Sequence, residues 1–374
     1  MRLLIVQTNY PGFLSDFYRK RPGWEKWSYS KLSSEKANSA FGSADFYSHS
    51  IRKLGHWAME VVADDFNQQK KWSAENGFNL AQNKLWQSTR WLPAIIRNKI
   101  ANNNWVYDVL SAQIKLYRPD VVYVHDLHTY DKAYLDSIRR KVRLVVGQIA
   151  YPLPPKENLY GYDLILSSFP HYVDKFKRMG IDSARLNWCF EPRINRHLKK
   201  TRDSYDVTFV GGFSVHHSKG NDFLEKLAKK TKVDFWGYGV NQLKPGSAIR
   251  KSYHGELWGI DMYQVFSQSK IVVNRHINIS GQYANNMRLF EATGVGAMLL
   301  TDYKPNIEEF FRVDKEIVTY KDTEELIAKS RYYLKHQHRL DEISRAGKKR
   351  TLRDHNYRKR MKELMEILKF RIGR

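Results

Sequence analysis

The chain opens on a short unbroken apolar run, LLIV at 3–6, flanked by Arg2 and Gln7. Such a run is the mark of a strand buried on both faces of a parallel sheet, where a half-solvated strand would alternate. The signature returns in MEVVADD (59–65), VVYVHD (121–126) and VRLVVGQ (142–148), and another strand starts at Asp163–Leu166. Asp45–Leu54 reads as a helix ending at Gly55, a good position for a C-terminal cap. Strands alternating with helices predict an α/β fold with a doubly wound parallel sheet. Residues 67–118 interrupt the rhythm. They are polar, helical in pattern and rich in tryptophan (Trp72, Trp86, Trp91, Trp105), and read as helices inserted on the first unit.

FEPRINRHLKKTRDS at 190–204 is polar, basic and nearly without apolar anchors, so it reads as a linker. A second alternating run follows it. DVTFVGG (206–212), VDFWGYG (233–239), IVVN (271–274) and AMLLTD (297–302) are its expected strands, with helices at Asn221–Lys230 and Asn286–Thr293. The expected organisation is a first Rossmann-like unit at 1–195, a second at 205–355 and a terminal helix within 356–374. Met361, Leu364, Met365, Ile367 and Leu368 form an apolar stripe on that helix. Two doubly wound units place a ligand-binding cleft between them.

Composition narrows the setting. Cys189 is the single cysteine among 374 residues, which excludes a disulfide framework or a cysteine-rich metal site and fits a reducing, cytoplasmic compartment. No stretch approaches the roughly 18 apolar residues of a membrane span. A net charge of +24 speaks of partners: phosphorylated substrates, an anionic membrane face or nucleic acid. The last has no recognisable module here and is not expected.

Candidate chemistry gathers in the second half. DVTFVGG breaks at Gly211–Gly212, where backbone N–H groups can approach a phosphate, and Lys219 stands before the next helix. In GQYANNMRLFEATGVGAMLLTD, Asn285 or Asn286 caps a helix on which Arg288 and Glu291, three apart, share a face. Glu291 either complements the helix dipole or accepts both ribose hydroxyls of a nucleotide. Arg288 either meets phosphate or pairs with Glu291. The loops WGYG, with Tyr238, and YHGEL, with Glu256 and Leu257, stand at strand ends suited to hold a nucleobase. There is no Asp-x-Asp, P-loop, HExxH or Gly-x-Ser-x-Gly, and His216–His217 point apart with no partner set for a metal.

From about 206 to 366, the stretches TFVGGF, FWGYG, HGEL, QVFSQSKIVVN, MRLFEATGVGAMLLTD and HNYRKRMKELMEIL resemble the C-terminal domain of glycosyltransferases of the spore-maturation-protein CgeB type. These belong to the group-1 class of the GT-B fold. The resemblance implies two Rossmann-like domains facing a cleft, with the last helix crossing back to the first. It implies transfer of a sugar from a nucleotide-diphosphate donor, a UDP-sugar foremost, to a glycan, lipid-linked or other cell-surface acceptor. It implies further that Glu291 grips the ribose, with Lys219 and Arg288 on the diphosphate, in a retaining reaction without metal or added cofactor. Many retaining relatives carry two glutamates with seven residues between them, the second matching Glu291, and the position of the first is Tyr283 here.

In the first half, VVYVHDLHTY resembles the acceptor side of the class, with His125, Asp126 and His128 at a strand end as candidates to deprotonate the acceptor. Pro11 and Gly12, after the first strand, match the acceptor loop. KLWQSTRWLPAIIRNKI at 84–100 sets Trp86, Trp91, Leu92, Ile95 and Ile96 among Lys84, Arg90, Arg97 and Lys99. That is the pattern of a segment lying on an anionic membrane surface, although Pro93 breaks one continuous helix. An inactive GT-B scaffold and a basic nucleic-acid-binding protein are the alternatives.

Overall fold

The computed structural model describes residues 1–80, 104–199, 205–213 and 218–373, the side chains of 104 and 218–220 excepted. Segment 84–100 and His216–His217 lie outside the described residues, as does the side chain of Lys219.

The first half forms a six-stranded sheet of β1 (Arg2–Gln7), β2 (Trp57–Val62), β3 (Val121–Val124), β4 (Leu144–Gln148), β5 (Leu164–Ser167) and β6 (Ser183–Arg185). All pairings are parallel, in the order β2-β1-β3-β4-β5-β6. Its helices include α1 (Pro11–Arg19), α2 (Tyr29–Asn38), α3 (Phe46–Lys53), α4 (Phe66–Glu75), α5 (Asn104–Tyr117), α6 (Lys132–Arg139) and α7 (Pro170–Arg178). Leu3, Leu4, Ile5 and Val6 are buried, which accounts for their unbroken apolar run.

Strand ends fall short of the sequence reading where a polar residue takes another task. MEVVADD stops at Val62 because Asp65 leaves the ladder to cap α4, accepting a hydrogen bond from Gln68 N at 3.3 Å. Pro11 opens α1 at its first turn, where a missing N–H costs nothing, so a helix begins where the sequence suggested only a turn.

The second sheet contains β7 (Tyr205–Val210), β8 (Asp234–Trp236), β9 (Ser269–Asn274), β10 (Met298–Asp302) and β11 (Val318–Tyr320), all parallel, in the order β11-β10-β9-β7-β8. Around it lie α8 (Ser218–Lys230), α9 (Ile260–Ser267), α10 (Met287–Val295), α11 (Thr323–Lys335) and α12 (Gln337–Asp354). Each sheet thus repeats one plan: the first strand sits between the second and third, so chain direction across the sheet reverses beside it. Ligands of open α/β sheets bind at the carboxyl end of that reversal.

The terminal helix α13 (Tyr357–Ile372) crosses to the first sheet. Tyr357 lies 5.2 Å from Phe46 and 5.4 Å from Tyr47, ring centre to ring centre, and Arg371 pairs with Asp182 at 2.6 Å. The segment read as an unanchored linker is anchored. Phe190 and Ile194 are buried, Phe190 N donates to His355 O, and Tyr357 N donates back to Phe190 O. Apolar residues too few to show in a window of basic ones still fill the joint between the sheets.

Candidate active site

A cavity of about 490 Å³ lies between the two sheets. Thr8 and Tyr10, just past β1, face Gly211–Gly212 past β7 and Arg275–His276 past β9 across it, so the reversal points of both sheets open on one space. Its volume falls in the range of small-ligand sites, about 300–1,000 Å³.

Of the residues singled out for the donor, Gly211, Gly212, Tyr238, Leu257, Asn286, Arg288 and Glu291 line the cavity. Glu256 does not. It is exposed and turned to the other domain, where a Cβ on Gly12 would stand 2.9 Å from its Oε2. The loops after β7 and β8 meet backbone to backbone: Gly211 N donates to Trp236 O at 3.0 Å and Phe213 N to Tyr238 O at 2.9 Å. Gly237, with φ +137, makes this possible, since a Cβ there would stand 1.7 Å from Gly211 O.

Asn286 caps α10, accepting from Leu289 N at 3.3 Å, and aims the first turn of that helix at the cavity. One turn on, Glu291 is buried, its Oε1 accepting from Tyr263 Oη at 3.1 Å and its Oε2 from Arg288 Nη1 at 2.5 Å. Arg288 also donates Nη2 to Val210 O at 3.0 Å and lies 4.5 Å over the Phe266 ring. Each Glu291 oxygen keeps one lone-pair direction for a ligand, whereas both terminal nitrogens of Arg288 already donate to the protein, Nη1 also to the Met262 sulfur. Burial, with the Glu291 carboxylate second, pushes the Tyr263 hydroxyl far up, so it stays a donor.

The acceptor-side candidates are not on the cavity wall. The His125 ring is packed 4.6 Å from Tyr47 and 5.2 Å from Tyr123, and burial pushes it down to about 4. A ring so weakly basic is a poor proton acceptor at neutral pH. Asp126 stands one hydrogen bond behind the wall, accepting from Thr8 Oγ1 at 3.2 Å, His128 N at 3.0 Å and Thr129 Oγ1 at 3.1 Å. It thereby shapes the loop after β3. His128 is exposed beside the Pro152 carbonyl, its Nε2 at 2.8 Å. Pro11 and Gly12 belong to α1, and the residue before them, Tyr10, reaches the cavity instead.

The sequence reading passed over Tyr10, Phe41, Trp258, Arg275 and His276, all on the wall, and offered Asn285, also on it, only as an alternative helix cap. Tyr10 lies 5.9 Å from Tyr238 and from Trp258, joining the domains in one aromatic rim. Asn285 Nδ2 donates to Ser168 O at 3.1 Å and Asn187 Oδ1 at 2.8 Å across the cleft. His276 donates Nδ1–H to Asp302 Oδ1 at 2.7 Å, leaving Nε2 buried without a partner. Burial works to raise the Asp302 carboxyl, yet its bonds to His276 hold it below its ordinary value. Arg275 and His276 directly follow the run IVVN, so the strand-end rule that selected Gly211 was available for them too. Among the described residues, no three His, Cys, Asp or Glu side chains converge as metal ligands, and no helix is long and apolar enough to cross a membrane.

Residues 218–366 match the family model described as glycosyl transferase-like. No curated protein matches the chain significantly. Among solved structures, sucrose-phosphate synthase from Thermosynechococcus elongatus aligns over 99% of this chain and 98% of its own, at 7% identity and a TM-score of 0.60. Anabaena HepE in complex with UDP-glucose aligns over 99% of both chains, at 11% identity and a TM-score of 0.60. AviGT4, a glycosyltransferase of avilamycin A biosynthesis, covers 100% of this chain and 98% of its own, at 12% identity and a TM-score of 0.57. Likeness at such identity speaks for the fold, and the family model speaks for the second half. Together they give this chain the GT-B fold, with a glycosyl transferase-like domain at residues 218–366.

Proposed function

We propose that the chain transfers a sugar from UDP to a glycan or lipid-linked acceptor of the cell surface, holding the nucleotide against the second domain. The observation that carries this is Glu291, a buried carboxylate on the cavity wall with a lone pair spare on each oxygen, suited to the two hydroxyls of a ribose. The capped end of α10 stands on the same wall, where a helix N-terminus favours a diphosphate. HepE, of the same architecture, binds UDP-glucose in its solved complex. Motif order across 206–366 favours the CgeB-like group.

In this reading the leaving diphosphate is stabilised by cationic side chains and the α10 dipole, so no metal takes part. Activity is expected to survive EDTA, and loss restored by manganese would refute it. Anomeric retention follows the resemblance and is checked by NMR of the first-formed product. The proposed setting is the cytoplasm, with contact to anionic lipid through 84–100 tested by liposome co-sedimentation at low salt.

The direct test is calorimetric titration with UDP. Glu291→Gln suits it better than Glu291→Ala, because its amide oxygen can still accept from Arg288 or Tyr263, whereas alanine leaves both donors without an acceptor. Loss of a charged hydrogen bond worth about 1.5–3 kcal/mol predicts UDP affinity at least tenfold weaker. Unchanged UDP affinity in folded Glu291→Gln would remove the ribose assignment.

A further inference from the structure

The wall of the cavity carries two arginines, and the structure treats them differently. Arg288 is held by the Glu291 carboxylate, by the Val210 carbonyl and over the Phe266 ring. Arg275 is half-buried on the same wall, and among the described residues it makes no hydrogen bond and no ion pair. The acid bonded to the adjacent residue, His276, is already engaged: Asp302 accepts from His276 N at 2.9 Å and from Nδ1 at 2.7 Å, with Lys304 3.7 Å away. A guanidinium drawn partly out of water without a counter-ion is costly, and its planar fork of donors matches two oxygens of a phosphate.

Its position agrees. Arg275 is the first residue past β9, which lies beside β7, so it stands at the reversal point of the second sheet next to Gly211–Gly212. The same wall holds a second unfilled group, the buried Nε2 of His276, which has no partner while Asp302 fixes the other face of the ring. Buried polar atoms are nearly always bonded, and an orphan on a cavity wall points to a ligand.

We propose that Arg275, among the described residues, is the side chain that binds the donor's diphosphate, and that Arg288 remains the partner of Glu291 throughout. This rests on the nucleotide-diphosphate reading given above. Arg288 then reaches the ligand only through the carboxylate it orients, and its removal disturbs the ribose, whereas removal of Arg275 disturbs only phosphate.

The test compares UDP with uridine, which keeps base and ribose but has no phosphate. Both are titrated into the wild type, Arg275→Gln and Arg288→Gln, uridine by NMR. Arg275→Gln is expected to weaken UDP at least tenfold while leaving uridine and the melting temperature unchanged. Arg275→Lys, which keeps charge and loses the fork, should fall between. Arg288→Gln should weaken both ligands by one common factor. Equal losses for UDP and uridine in Arg275→Gln, or no loss for either, would overturn the assignment while the UDP reading stands. A wild type that binds neither ligand would overturn both.

Discussion

Gly259→Ala probes the junction that holds the cleft together. Gly259 caps α9 with φ 54 and ψ −125, a region closed to side chains, and a non-glycine residue held there costs about 1–3 kcal/mol. Its missing side chain also faces the other domain: a Cβ would stand 2.0 Å from Ser39 O and 3.1 Å from Phe41 N. Since such contacts below 3.0 Å do not occur, α9 and the end of α2 must separate by at least 1 Å. That breaks the bond from Ile260 N to Ser39 O, now 2.7 Å, worth about 0.5–1.5 kcal/mol. The expected loss of stability is about 2–4 kcal/mol.

Activity should suffer as well. Ala40, Phe41 and Gly42, the residues following Ser39, line the cavity and move with it, and a misplacement of about 1 Å can cost on the order of 100-fold. Urea unfolding and kcat/KM for the donor measure the two effects. Gly246→Ala is the control, an exposed glycine with nothing within 4 Å of its added Cβ. If Gly259→Ala matches Gly246→Ala in both measurements, the domains do not meet as described and the reasoning fails.

Leu364→Ala on α13 removes a fully buried side chain from the core shared with Phe46, Tyr47 and Phe190, and should cost about 2–5 kcal/mol in urea unfolding. A cost under about 0.5 kcal/mol would mean that α13 does not dock on the first domain. His355 supplies a pH test. Burial pushes its ring down to about 4, against the opposing pull of its bond to Phe310 O at 2.9 Å, while the unfolded chain titrates near 6.5. The folded state therefore binds fewer protons in that window. The contribution of His355 is full above about pH 6.5 and is lost as pH falls towards about 4. Between pH 7 and 4.5 the wild type should lose about 2–3 kcal/mol more than His355→Gln, and parallel losses would disprove the assignment.

The sequence by itself determined what depends on near neighbours in the chain. Unbroken apolar runs as short as LLIV and VVYV fit strands buried on both faces, and their alternation with helices fits parallel sheets. Asn286, Arg288 and Glu291 were legible as a capped helix start with an acid and a base on one face, because their spacing is that of a helical turn. Three-residue edge strands such as β6 and β11 were not, since so short a stretch carries no period.

Tertiary structure decided the rest, because the state of a charge or a ring depends on neighbours distant in sequence. Val210 and Phe266 hold Arg288 in place, and no residue of its own helix could have shown those two contacts. Tyr47, distant along the chain, buries His125 away from the cavity it was expected to serve. Arg275 looks like any strand-end arginine in the sequence, and only the folded chain shows that it lines the cavity while Asp302 is bound to its neighbour His276.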